Sequence, residues 1–327
     1  MIDTAIILAA GRGSRLKEVT AHRSKALAPI AGKPIIMRVI DALTEAGVRN
    51  FIVIGAPHDT ELKELCTSLQ NTKFFVQETP LGSANALISA QGGVPDTFLV
   101  CACDSLIPSG DISNLIAHHT PSTDATLSII EVAPDISLAA RSVVTLKGDL
   151  VTEIIEKPSP GERISNLSSL PLYILTKGIF DEIARLKPSA RGEYELPEAF
   201  RSLIDHGKIV RGVRASERYD LTDQNDLLTL NLLFLAKISP EIQISSSVKI
   251  PKSAKLIPPL LIEEGVTIGE DSTIGPLVYL ERGSAVLPRV SISRSLVLRD
   301  GAAATPCDGG IITGRPSTLP TEEPEKR

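Results

Sequence analysis

Tryptophan is absent from this chain of 327 residues, and aromatic residues make up only 3% of it. A surface that stacks nucleic-acid bases needs such rings, so none is expected, nor an aromatic sugar-binding platform. The net charge of −5 leaves no polyanion-binding footprint, although a local basic pocket stays open. Neither a nucleic acid nor a membrane is an expected partner. None of the four cysteines sits at zinc-ligand spacing. Cys101 and Cys103 alternate onto one face of an apolar run, as reduced core residues do. No stretch approaches the ~20 apolar residues of a membrane span. The start, with Asp3 and a short apolar run, does not read as a signal peptide, so a cytoplasmic location is expected.

What is present is 43% apolar residues, enough for a sizeable core in one large domain or two ordinary ones. Up to about 235 the chain alternates strand and helix signals. TAIILA (4–9), NFIVIG (50–55), KFFVQ (73–77) and DTFLVCACD (96–104) read as strands. PIIMRVIDALTEAG (34–47), DTELKELCTSL (59–69) and GSANALISAQG (82–92) read as helices. This rhythm predicts a mainly parallel sheet covered on both faces, with ligands at the carboxyl ends of its strands. The first strand ends at a glycine loop and the 96–103 strand ends at Asp104, so two signals point to one edge. A strand-rich insertion covers 122–176, and helices return at 178–186, 194–207 and 223–238. His118 and His119 close a predicted helix and read as surface or helix C-terminal charge.

The period then changes. Ile250, Leu256, Ile262, Ile268, Ile274, Leu280, Val286, Ile292 and Leu298 follow one another at six-residue spacing. A period of six with an aliphatic at each repeat is the pattern of a β-helix with short faces, about three coils long. Residues 314–327 are polar and proline-rich and read as disordered. Three coils leave exposed ends and apolar faces, which predicts packing on another subunit or on the catalytic domain.

The run LAAGRGSRL (8–16) leads a buried strand into a loop with two glycines and two arginines. Glycine lets the backbone turn sharply, and successive N–H groups can converge on an anion. The spacing fits neither G-x-G-x-x-G nor G-x-x-x-x-G-K-[ST]. From the loop alone, a phosphate cradle and an ordinary strand–helix turn both stay open.

The longer stretch LAAGRGSRLKEVTAHRSKALAPIAGKPII resembles the N-terminal signature of the sugar-nucleotide pyrophosphorylases, roughly LAAGxGTRLxPxTxxxPKxLxPVxGKPxI. Gly11, Gly13, Ser14, Arg15, Leu16, Thr20, Lys25, Leu27, Pro29, Gly32, Lys33 and Pro34 stand in matching places, while Glu18 and Ser24 replace prolines. VQETPLGSANAL (76–87) is similar to the family segment that reads the base. DTFLVCACDSLI is similar to the strand ending in the first metal aspartate, with Cys103 in place of a glycine. EKP (156–158) and PSARGEYEL (188–196) match further family stretches. RYDLTDQNDLLTLN (218–231) resembles W-x-D-I-G-T-P-E-D-L, with Asp220 as the second metal aspartate and Thr222, Asp223 and Gln224 in place of Gly-Thr-Pro. SNLSSLPLYIL (165–175) stands where the family has N-x-G-I-Y and keeps Tyr173.

The resemblance implies an α/β, Rossmann-like nucleotidyltransferase domain over 1–238, a short left-handed β-helix over 243–312 and a tail over 313–327. It implies a Mg2+-dependent enzyme that joins an NTP, UTP or dTTP favoured, to a sugar 1-phosphate and releases pyrophosphate. Arg15 and Lys25 would be catalytic. Ala10, Gly11, Gly13, Ser14, Gln77, Gly82 and Ser83 would bind the nucleotide. Glu156, Lys157 and Tyr173 would bind the sugar phosphate, and Asp104 and Asp220 the metal. Arg12 is read as solvent-facing, and His22 and Arg23 are not counted among the ligand-binding residues. Guanylyl- or cytidylyltransferases of the same superfamily, acting on mannose 1-phosphate or phosphocholine, are the nearest alternatives. A non-catalytic regulatory paralogue that binds nucleotide sugars is the alternative from another class. The last histidine, His206, precedes the hexads, so acyl transfer by a histidine base is not expected there. A homo-oligomer through the β-helix is.

Overall fold

The computed structural model describes residues 2–11, 13–21, 23–133, 138, 141–159 and 164–314. Arg12, His22 and residues 315–327 of the expected tail lie outside the described residues. Among the described residues, no helix is long and apolar enough to cross a membrane. Contacts divide the chain into two compact units. The first gathers 1–12, 24–27 and 35–220; the second gathers 13–23, 28–34 and the chain from 221 onward.

The first unit is built on a nine-stranded sheet. Its strands are β1 (Thr4–Leu8), β2 (Asn50–Gly55), β3 (Thr72–Val76), β4 (Thr97–Ala102), β5 (Ala125–Glu131), β6 (Ser142–Lys147), β7 (Leu150–Glu156), β8 (Leu167–Thr176) and β9 (Val210–Arg214), in the spatial order 3-2-1-4-8-5-9-7-6. β3, β2, β1 and β4 run parallel, as the strand–helix rhythm predicts. β8 then enters antiparallel against β4, and the insertion strands β6 and β7 pair antiparallel as a hairpin. Leu8 stands level with Ala102, so β1 and β4 do end at one edge. Helix α1 (Ile35–Glu45) buries Ile35, Ile36, Val39, Ile40 and Leu43, one stripe of a 3.6-residue period. Helices α2 (Thr60–Ser68), α3 (Ser83–Ile88), α4 (Ser109–His118), α5 (Ile179–Arg185) and α6 (Leu196–Asp205) complete the unit. The expected helical charge after α4 is revised for His119. Its ring is half buried on the Thr126 hydroxyl at 2.8 Å, and burial lowers its pKa, which favours the neutral form.

In the second unit, helix α7 (Gln224–Leu235) starts at a reciprocal capping box. The Asp223 carboxylate accepts from the N–H groups of Asn225 and Asp226, and the Asp226 side chain accepts from the N–H of Asp223. Asp223, a departure from the family sequence, is therefore a helix cap. The strand pair Pro29–Ile30 and Lys33–Pro34 turns at Ala31 and Gly32, both at positive φ, as a tight two-residue hairpin demands. Buried Asn231 holds that turn: its Oδ1 accepts from the Ala31 N–H at 2.7 Å, and its Nδ2 donates to the Pro29 carbonyl at 2.9 Å.

The hexads form three parallel sheets, a β-helix. Ile244, Ile262, Leu280, Val297 and Ile312 stack on one face; Leu256, Ile274, Ile292 and Cys307 on the second; Ile268, Val286 and Ala303 on the third. The strict period fails at both ends. Ile250 is 37% exposed and lies outside the strands. Val297, not Leu298, pairs with Leu280, because one residue is lost at the corner after Ile292. Small side chains (Ala303, Cys307) fill the last coil.

Candidate active site

Polar groups converge where the parallel strands of the first unit end. The N–H of Ala9 donates to the Ile54 carbonyl at 2.8 Å, and that of Cys103 donates to the Leu8 carbonyl at 3.0 Å. These bonds carry the sheet ladder one residue beyond β1 and β4. Ala10 and Gly11 follow, with open space around Gly11 where a side chain would stand. Gly13, Ser14 and Arg15 belong to the second unit. Gly13, at φ 60, precedes a 3-10 helix, Ser14–Thr20. This helix buries Leu16 and Val19 and leaves Ser14 and Arg15 exposed. Cys103 is buried, and burial followed by the neighbouring Asp104 charge pushes its thiol well above the usual range. It is a small apolar side chain here, not a nucleophile.

Asp104 follows Cys103 directly and makes a close ion pair with Lys25 Nζ. The next two residues, Ser105–Leu106, pair antiparallel with Tyr219–Asp220, with Ser105 opposite Asp220. Ser105 Oγ donates to Asp220 Oδ1 at 2.9 Å, and Arg218 Nε makes a close ion pair with the same oxygen. The two aspartates expected to bind metal are 116 positions apart in sequence (220 − 104), yet Asp104 adjoins the pairing partner of Asp220. Each carboxylate carries its own cationic partner.

Gln77 sits just past β3 and is 5% exposed. Its N–H donates to the Gly55 carbonyl, and its side-chain Nε2 donates to the Gly82 carbonyl at 3.1 Å and to Asn85 Oδ1 at 2.9 Å. The amide is thus locked in one orientation. Gly82 has φ 102, and a side chain there would place Cβ 2.5 Å from the Tyr194 carbonyl oxygen. Only glycine fits such an approach. Ser83 Oγ accepts from the Leu196 N–H at 3.0 Å, so it caps α6 from across the fold. The Ala84 N–H donates to the Tyr194 carbonyl at 2.9 Å, and the Tyr194 N–H to the Leu81 carbonyl at 2.7 Å. Segment 81–84 is stitched along 194–196.

Lys157 forms the second charged cluster. Its Nζ lies 2.6 Å from Glu195 Oε1 and 3.1 Å from Glu156 Oε1. Arg191 closes on both Glu195 oxygens, at 2.9 and 2.8 Å, and Ser142 makes a short contact with Glu156. Burial lowers the pKa of Lys157, but the hydrogen bonds and charges of Glu195 and Glu156 outweigh it and leave the ammonium above its ordinary value. Lys157 also has φ 50, a left-handed conformation that costs about 1–3 kcal/mol in a non-glycine residue and gathers at functional sites. Glu195 was not singled out in sequence; its only signal was its place in the RGEYEL stretch. Tyr173 packs its ring edge-on against Phe200 at 4.8 Å in the core, and burial, then the Glu156 charge, push its phenol far up.

Residues 4–235 match the family model for nucleotidyl transferases. A bifunctional protein GlmU of Methanococcus maripaludis is 30% identical over 254 residues, 75% of this chain and 58% of that protein. This chain thus spans little more than half of that relative's length. The UTP–glucose-1-phosphate uridylyltransferase AglF of Haloferax volcanii is 29% identical, covering 64% of this chain and 87% of that one. Among solved structures, a UDP-glucose pyrophosphorylase from Acinetobacter baumanii superposes with a TM-score of 0.64 at 20% identity, over 73% of this chain and 95% of that one. That likeness speaks to the fold alone. With the signature at its start and the β-helix at its end, this chain belongs to the nucleotidyl transferase family, among the sugar-nucleotide pyrophosphorylases.

Proposed function

We propose that this chain joins an NTP to a sugar 1-phosphate, with UTP or dTTP as the favoured nucleotide. A sugar-phosphate oxygen attacks the α-phosphorus, the bond from that phosphorus to the β-phosphate bridge breaks, and pyrophosphate leaves. The observation that carries this reading is the pair of clusters at the strand ends: Lys25 with Asp104 beside Ser105–Asp220, and Lys157 held by Glu156 and Glu195.

Both substrates are anions, so the barrier is largely electrostatic. Arg15 and Lys25 neutralise the β- and γ-phosphates and stabilise the leaving pyrophosphate. Backbone N–H groups along Ala10, Gly11, Gly13 and Ser14 cradle the phosphates. Lys157, fixed by two carboxylates, presents the sugar phosphate for in-line attack with Glu156 and Tyr173 alongside. Gln77, Gly82 and Ser83 frame the base, and the locked Gln77 amide supports a pyrimidine. The nucleophile is already ionised near neutral pH, so no general base is required.

Two carboxylates, Asp104 and Asp220, offer the hard oxygen donors that suit Mg2+. Among the described residues no cluster of three or more His, Cys, Asp or Glu side chains could hold an ion, so phosphate oxygens and water would complete its shell. When bound, Mg2+ would supply charge neutralisation at the α-phosphate. In chain order, 1–238 is read as the catalytic stretch and 243–312 as a β-helix that joins copies of the chain in solution; light scattering checks the latter.

The direct test is pyrophosphate release from a panel of NTPs against sugar 1-phosphates with Mg2+. Release confined to UTP or dTTP is expected, and no release from any pair overturns the enzyme reading. In the active pair, Asp104→Asn is expected to lower turnover by roughly 10²–10³-fold, the usual effect of removing one electrostatic group from a transition state. Unchanged release would remove Asp104 from the metal site.

A further inference from the structure

We propose that the β-helix is the mount of the signature loop, and that Glu281, acting through Arg23, is the positioning residue that holds the loop for the triphosphate. The identity of the ligand rests on the function proposed above; the mount itself does not.

Loop residues 13–23 belong to the same compact unit as the β-helix. Arg23 reaches Glu281 with both terminal nitrogens, NH1 to Oε1 at 2.7 Å and NH2 to Oε2 at 3.0 Å. The two side chains are only 9% and 5% exposed. Glu281 is itself fixed: its N–H donates to the Val297 carbonyl at 2.8 Å, and its Oε2 also accepts from the Arg299 N–H at 2.7 Å. It follows the strand Val278–Leu280, so a rigid coil sets its direction. At a second point the Thr313 hydroxyl donates to the carboxylate of Glu18. Glu18 stands where the family signature has a proline, so this departure falls where the loop meets the coil.

A buried ion pair adds little net stability over apolar packing, because desolvating both charges offsets their attraction. A bidentate guanidinium–carboxylate pair does fix orientation. Orientation is what this loop needs. Its 3-10 helix is one of poor intrinsic stability and has no side-chain cap at its start. Arg15 rides exposed on that helix, so its aim depends on how the helix is held. A loop fixed before binding loses less conformational freedom on meeting a polyphosphate.

The test uses the full chain with Arg23→Gln, Glu281→Gln, the double variant and Arg23→Lys. The quantities read are the melting temperature, the rate of trypsin cutting after Arg15, the affinity for UTP by calorimetry, and steady-state KM and kcat. Either single glutamine variant is expected to speed cutting and to weaken UTP binding about tenfold, as for a binding-competent state populated about a tenth of the time. The KM for UTP rises while kcat at saturation holds. The double variant is no worse than either single one, since both remove one contact. Arg23→Lys restores part of the affinity. A lower melting temperature with unchanged cutting and unchanged affinity makes the pair merely structural and overturns the proposal. Should Glu281→Gln fail to fold, Arg23→Gln reads the same contact from the loop side. If the wild type binds no NTP, the proposed function fails, yet the cutting rates still decide whether the β-helix mounts the loop.

Discussion

At the scale of single residues, the charges of the two clusters are held in pairs. Lys25 answers Asp104, Arg218 answers Asp220, and Lys157 sits between Glu156 and Glu195. Such pairs hold side chains ready, since a paired charge already has its direction when substrate arrives. Lys157→Met removes a cation that stays protonated across the neutral range. It is expected to lower kcat/KM for the sugar 1-phosphate by about 10–150-fold, from the ~1.5–3 kcal/mol of a hydrogen bond to a charged group. The KM for the nucleotide should move little, which steady-state pyrophosphate release checks. Glu195 keeps Arg191 as a partner, so the fold should survive. The lysine was legible from its EKP context. Glu195 was not, because nothing in a one-dimensional string says which acid returns to a given lysine 38 residues earlier.

At the scale of elements, α3 and α6 are tied through segment 81–84, and Gly82 is the tightest point of that tie. Gly82→Ala meets both a positive φ and a backbone oxygen 2.5 Å from the new Cβ. It is expected to cost at least about 1–3 kcal/mol. Urea denaturation measures this, and an unchanged midpoint would refute the close approach. Helices α5 and α6 are joined by buried Glu182, which accepts from Ser202 at 2.5 Å, faces His206 Nδ1 at 2.9 Å and pairs with Arg185 at 2.8 Å. Burial raises the pKa of Glu182, but Ser202, His206 and Arg185 outweigh it and leave the carboxyl below its ordinary value. Its contribution to stability is therefore complete above the unfolded value of about 4.3 and is lost as pH falls through the lower folded value. Between about pH 5 and 3 the wild type should lose more stability than Glu182→Gln, as read from urea midpoints.

At the scale of the whole molecule, chain order and compactness diverge. The signature stretch, continuous in sequence, is shared between two units: 24–27 lies with the nine-stranded sheet, while 13–23 and 28–34 lie with α7 and the β-helix. The core of that second unit is the stacked column that contains Ile274, which is fully buried. Ile274→Ala should cost about 2–5 kcal/mol, whereas Ile250→Ala, at an exposed repeat position, should stay within about 0.5 kcal/mol. Equal costs would contradict the register of the coils. Because the loop shares this unit, Ile274→Ala should also speed trypsin cutting after Arg15 at mild urea concentrations.

The sequence by itself determined the kinds of element and their period. Strand–helix alternation predicted the parallel half of the sheet and the common edge at which β1 and β4 end, since apolar periodicity is a local property that each segment carries alone. Six-residue spacing predicted the β-helix for the same reason. The resemblance to the family's motifs named Lys25, Asp104, Lys157 and Asp220 as candidates. Only the tertiary structure decided which of these meet. Ser105, the neighbour of Asp104, pairs with Asp220 through a two-residue strand pair too short to be read from pattern, and Glu195 reaches Lys157 from a loop. The corner residue lost after Ile292 and the grip of Glu281 on Arg23 were likewise invisible. Each is a pairing between distant parts of the chain, and the free energy of such a contact depends on geometry that exists only once both partners are folded.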